Sequence, residues 1–153
     1  MDSLKDRLQH DLTEAMRAQD EVTRETLRMA LAAIQRAEVA GKEQVELDDD
    51  GVVGVLQTEV RKRTEAAEAY ATAGREDRAA RERAEAAVIA AYLPAALSDE
   101  ELSAMVAEEV ARAADEGLEG GRAMGAVVKA VRARAGAGTE GGRIAAAVKA
   151  ALG

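Results

Sequence analysis

The sequence predicts an all-α protein, a four-helix N-terminal domain followed by a small three-helix C-terminal domain. Three observations carry that expectation. Apolar residues recur at helical spacing through most of the chain, and no segment alternates convincingly like a strand. Hydrophobic residues make up 48% of the chain but aromatic ones only 1%, so the core is built from Leu, Val, Ile, Met and Ala, slim side chains that favour close helix packing. The single proline, Pro94, sits in "AYLPAALSDEEL" with helical patterns on both sides.

The first helix shows Leu4, Leu8, Leu12, Ala15 and Met16 at helical spacing, with Ser3 or Asp2 available as cap. A second runs from about Glu21 to Ala40 on a stripe of Leu27, Ala30, Leu31 and Ile34, and Gly41 suits a left-handed position after its end. The acids of "GKEQVELDDDG" suit the N-terminus of a third helix, where the macrodipole favours negative charge. That helix carries Val53, Leu56, Val60, Ala67 and Tyr70 on one face and stops near Gly74. The fourth follows through "REDRAARERAEAAVIAAYL", with Val88, Ile89 and Tyr92 as its apolar edge.

Pro94 disfavours helical geometry at Leu93 and has no backbone N–H to donate. A few residues on, Ser98 and Glu101 form a capping box, and Asp99 and Glu100 add negative charge to a first turn. One helix stops and another starts, which sets the expected domains at residues 1–93 and 94–153. The fifth helix has the stripe Leu102, Met105, Val106, Val110, and the sixth Met124, Val127, Val128, Val131. Thr139 is the expected cap of the seventh, whose stripe is Ile144, Ala147, Val148, Ala151.

With no cysteine, disulfides, thiolate metal sites and thiol nucleophiles are excluded. His10 is the only histidine, so a His triad or multi-His metal site cannot form within one chain. The acidic, amphipathic start "MDSLKDRLQHDL" is unlike a signal peptide, and no apolar run approaches the roughly 20 residues that span a bilayer. A cytoplasmic protein with no membrane partner is the expectation.

The formal net charge of −8 argues against a general nucleic-acid binder, but it hides an asymmetry. From Ser98 to Glu119 there are eight acidic residues and one basic residue, a net of −7; from Gly120 to the end there are six basic residues and one acidic residue, a net of +5. The six are Arg122, Lys129, Arg132, Arg134, Arg143 and Lys149. Arg122, Lys129 and Arg132 lie opposite the apolar stripe of the sixth helix, and Arg134 lies at its flank. They form a candidate nucleic-acid surface, with a solvated basic face as the alternative. No aromatic residue is near enough to stack a base, so such contact reads phosphate and shape.

Other motifs carry less. "GAGTEG" fits G-x-G-x-x-G at Gly136, Gly138 and Gly141, but what precedes it reads as helix rather than the strand a dinucleotide fold needs. "ELDDDG" resembles the start of a calcium loop, yet its twelfth position is Gln57. No metal and no cofactor is expected. Arg63 shares the apolar face of the third helix and Glu85 that of the fourth. A charge on such a stripe needs a partner, so a structural Arg63–Glu85 ion pair is the economical expectation. Glu108 and Glu109 have no accompanying base or nucleophile and read as helix surface.

The segments "LRMALAAIQRAEV", "VLQTEVRKRTEAAEAY", "AGREDRAARERAEAAVIAAYLPAALSDEEL" and "MGAVVKAV…GGRIAAAVKAAL" together resemble the YqeY family, also called GatB/YqeY. The central run is the most specific part. The resemblance implies a helical N-terminal domain followed by a small domain similar to the tail of GatB, a subunit of the glutamine-dependent tRNA amidotransferase. There the tail helps hold tRNA while the chemistry lies elsewhere. It implies an amidotransferase-like classification, a carbon–nitrogen ligase with glutamine as amido-N-donor, without supplying an active site. A bacterial, non-catalytic module in contact with tRNA or a tRNA-linked complex is therefore expected. The alternatives are a protein-interaction module without RNA binding and an accessory to a glutamine-dependent amidotransferase. Where the family has a tighter turn close to "KGRADG", this chain has the longer "RARAGAGTEGG".

Overall fold

The computed structural model describes residues 2–136 and 138–153; Ala137, inside the "GAGTEG" run, lies outside them. Among the described residues the chain forms seven α-helices and no strand: α1 Leu4–Arg17, α2 Glu21–Val39, α3 Asp49–Thr72, α4 Glu76–Ala90, α5 Asp99–Asp115, α6 Gly120–Ala135 and α7 Gly141–Leu152. Among the described residues no helix is long and apolar enough to cross a membrane.

Four helix starts are capped by local side chains. Ser3 Oγ accepts from the Asp6 amide at 3.1 Å while Asp6 accepts from the Ser3 amide at 3.3 Å. Ser98 and Glu101 repeat the arrangement at 3.1 Å in both directions. Asp20 caps α2 through the Thr23 amide, and Asp48 caps α3 through the Gly51 amide. Each such cap contributes about 0.5–2 kcal/mol. Asp49 also accepts from the Leu4 amide at 3.0 Å, joining the starts of α1 and α3. Two acids of the run, Asp48 and Asp49, are thus occupied at helix starts.

The turn after α2 differs from expectation. Gly41 is not in the left-handed region, and α2 ends at Ala40 in ordinary helical geometry. Buried Glu38 organises the turn instead. Its carbonyl accepts from the Val45 amide at 2.9 Å, and its carboxylate accepts from the Leu47 amide at 3.0 Å and from Lys5 Nζ at 2.8 Å. The two carboxylate bonds, that of Lys5 first and then that of Leu47, hold the Glu38 carboxyl below the usual carboxylate range.

Packing divides the chain into two compact units, Met1–Leu93 and Pro94–Gly153. In the first, α3 lies along α4, α1 along α2, and α2 touches both α3 and α4. Leu8, Leu27, Ile34, Leu56 and Ile89 are fully buried at its centre. Met16, placed on the α1 stripe by spacing, is 48% exposed in the last turn, beside the Arg28 guanidinium. The Tyr92 hydroxyl donates to Asp11 and the Arg7 guanidinium lies 5.6 Å from its ring centre, so α1 fastens the chain just past α4. Burial, then the Asp11 bond, pushes the Tyr92 phenol well up.

In the second unit α5, α6 and α7 contact one another around Val106, Val127, Val131, Ile144 and Val148. The segment after Pro94 is held by the α6–α7 turn. Thr139 Oγ1 accepts from the Leu97 amide at 3.0 Å, and Arg143 donates to the Leu97 carbonyl at 3.0 Å. Gly138 is needed there, because a Cβ would fall 2.7 Å from the Ala95 carbonyl oxygen and 2.9 Å from that of Pro94. Thr139 therefore does not cap α7. Its hydroxyl is committed to Leu97, and the N-cap position is Glu140, without a side-chain cap bond.

Candidate nucleic-acid interface

The candidate surface is built on α6. At about 100° per residue, Arg122 and Lys129 point within roughly 20° of each other and Arg132 about 60° further round. Ala123, Val127 and Val131 are buried on the other side, and Val127 and Val131, in the core shared with α5 and α7, fix the rotation of the helix. Arg134 falls roughly 120° from Arg122 in the opposite sense, toward α5.

The six basic residues consequently have different fates. Arg134 donates to Glu108 at 2.7 Å and to Glu109 at 3.0 Å, and these bonds, Glu108 first, raise its pKa further. Arg143 donates to Asp99 at 2.8 Å as well as to Leu97. Both are engaged within the unit. Arg122, Lys129, Arg132 and Lys149 are exposed, and among the described residues none of them makes a hydrogen bond or ion pair. The Arg132 guanidinium sits beside Gly141 at the start of α7, where a Cβ would lie 2.7 Å from its Nη2. Four uncompensated cations on outward faces attract a polyanion and leave the core untouched. Glu109 is only 3% exposed and is shared between Arg134 and Arg112, so it is not the surface residue expected from its spacing.

A second charged cluster lies inside the first unit. Arg63 Nε donates to Glu85 Oε1 at 3.2 Å, and Arg63 Nη1 donates to the Glu59 carboxylate at 3.2 Å and the Glu59 carbonyl at 3.1 Å. Arg81 bonds the other Glu85 oxygen at 3.1 Å and reaches Glu25 on α2 at 2.8 Å; Lys62 supports Glu59 at 3.3 Å. The Glu85 bond, first, and that to Glu25 raise the Arg81 pKa. The network links α2, α3 and α4, and its charges neutralise one another. Sequence spacing missed Glu59 because the α3 stripe was centred on Val60. The buried row is Val52, Leu56, Glu59, Arg63, Ala67, which is also helical spacing.

Between α1, α2 and the turn after α2 lies an open groove of about 460 Å³, floored by Leu12, Leu31 and Ala32 and rimmed by Gln9, Gln35 and Arg28. Among the described residues no group of three or more His, Cys, Asp or Glu side chains is placed to hold a metal ion.

Residues 5–152 match the family described as Yqey-like protein. The chain belongs to the YqeY family. The match runs through both compact units of this YqeY-family chain, so the four unpaired cations and the buried ion network both fall within it. No curated protein matches the chain closely enough to count as a relative.

Proposed function

We propose that this protein is a non-catalytic helical module that holds tRNA, or an assembly built on tRNA, through residues 94–153 acting as a domain. The observation that carries the reading is a set of four exposed cations, Arg122, Lys129, Arg132 and Lys149, without a partner among the described residues, in the C-terminal stretch whose net charge is +5 within an acidic chain. Lys and Arg facing solvent without internal partners gain most from phosphate, because counterions are released when they bind it. The choice of tRNA follows from the resemblance of this segment to the tail of GatB. In this reading any link to glutamine-dependent amidation comes through the shared RNA, in a cytoplasmic, bacterial setting.

The test is a band shift with total tRNA at about 50 mM and about 200 mM salt. Wild-type protein shifts tRNA at the lower salt and loses it at the higher; the R122E/K129E/K149E variant loses it at both while keeping its helical content. Absence of a shift by wild type at low salt contradicts the proposal. A protein-interaction module without RNA binding is the second reading, favoured by the groove over Leu12, Leu31 and Ala32. A failed band shift together with specific capture of a protein partner, lost in L31E, supports it.

A further inference from the structure

Resting on the RNA reading above, we infer that the RNA is recognised as a duplex stem, laid along the outward ridge of α6 formed by Arg122, Gly125, Lys129 and Arg132, and not as a single strand. Single-strand binders combine a basic groove with aromatic platforms on which successive bases stack. From Pro94 onward the chain has no aromatic residue; Tyr70 and Tyr92 both precede it. What the unit offers is shape and phosphate contact, the mode by which paired RNA is recognised.

The ridge is rigid. With a rise of 1.5 Å per residue, Arg122 to Lys129 spans about 10 Å and Arg122 to Arg132 about 15 Å along the helix axis. Val127 and Val131 behind it are 1% and 0% exposed, so the helix cannot roll to follow a flexible chain. Fixed cation spacing favours a ligand whose phosphates are themselves fixed.

Gly125 is the second observation. It lies between Arg122 and Lys129 on the same face, is exposed, and a Cβ built on it meets nothing within 4 Å. The fold does not require glycine there, and glycine inside a helix is destabilising relative to alanine. Its effect is to leave the helix backbone bare midway along the basic row, where a phosphodiester ridge can come close. The α5 side of the unit limits the footprint: Glu108 and Asp99 neutralise Arg134 and Arg143 there, and the remaining acids repel phosphate.

The full chain is titrated by fluorescence anisotropy, at low salt, with an RNA hairpin whose stem is fully paired and with an oligouridylate of equal phosphate number. The hairpin binds about tenfold tighter, the difference made by one or two additional phosphate contacts. G125L changes no charge and its Cβ meets no atom within 4 Å, so circular dichroism shows wild-type helical content, yet the leucine lifts the ridge off the RNA and weakens hairpin binding by about tenfold. G54L, at an equally open glycine of α3, is the control and leaves hairpin binding unchanged. Oligouridylate bound as tightly as the hairpin, or hairpin affinity unchanged in G125L, overturns the duplex assignment while leaving RNA binding intact. Failure of wild type to bind either RNA overturns the proposed function as well.

Discussion

Replacing Arg63 by Met strands two carboxylates at once. The Glu59 and Glu85 side chains are 8% and 10% exposed, and Arg63 is hydrogen-bonded to both. Removing one partner of a buried pair costs about 3–5 kcal/mol. Here each carboxylate keeps one other cation: Arg81 for Glu85 at 3.1 Å and Lys62 for Glu59 at 3.3 Å, with side chains 38% and 63% exposed. The cost therefore falls near the lower limit, about 3 kcal/mol. At about 4–8 °C per kcal/mol for a unit of this size, the melting temperature drops by about 12–24 °C. Adding Glu85→Leu removes one stranded charge but leaves Glu59 held only by Lys62, so about half the loss returns; Glu59→Leu as a third change recovers most of the rest. Urea unfolding followed by far-ultraviolet circular dichroism on the single, double and triple variants measures this as a mutant cycle. Costs of Arg63→Met and Glu85→Leu that simply add show that the network is not energetically coupled, and refute the reasoning.

Three further outcomes follow from single sites. Thr26, on α2, is fully buried, and among the described residues its hydroxyl has no hydrogen-bond partner, so Thr26→Val stabilises by about 1 kcal/mol; a loss of stability shows that the hydroxyl is bonded in solution. Gly138→Ala drives a Cβ into the carbonyls of Pro94 and Ala95 and destabilises the second unit by about 1–3 kcal/mol, and a neutral result in urea unfolding contradicts that close approach. Because the Glu38 carboxyl is depressed by Lys5 and Leu47, its contribution is full above the ordinary value of 4.5 and is lost as the pH falls through the folded-state value. Stability thus rises with pH across that window, and Glu38→Gln flattens the rise; an unchanged pH profile contradicts the assignment.

Helix starts were readable wherever the capping group is local. Ser3 and the Ser98–Glu101 box lie within three residues of the amides they serve, so short-range spacing suffices. Gly41 and Thr139 were misread because tertiary contacts decide those positions: Glu38 gathers the turn after α2, and Leu97 claims the Thr139 hydroxyl. The same division runs through the charged residues. Arg63 and Glu85 drew notice because a charge on an apolar stripe demands compensation, but Glu59 escaped through a one-residue shift of the stripe, and the Arg81–Glu25 bond spans 56 residues. Among the six basic residues after Gly120, composition alone could not separate those free to meet a ligand from Arg134 and Arg143. The carboxylates that engage these two come from α5, 26 and 44 residues away in the chain, and only packing brings them together.

The most direct test of the account is the salt dependence of tRNA affinity for the intact chain. Four free cations predict a slope of log affinity against log salt of roughly −3 to −4, a loss of roughly 50- to 150-fold between about 50 and 200 mM. A slope near −5 or steeper would mean that Arg134 and Arg143 also leave their carboxylates for phosphate. A flat slope, or no tRNA binding at low salt, contradicts the claim that the unpaired cations of α6 and α7 hold RNA.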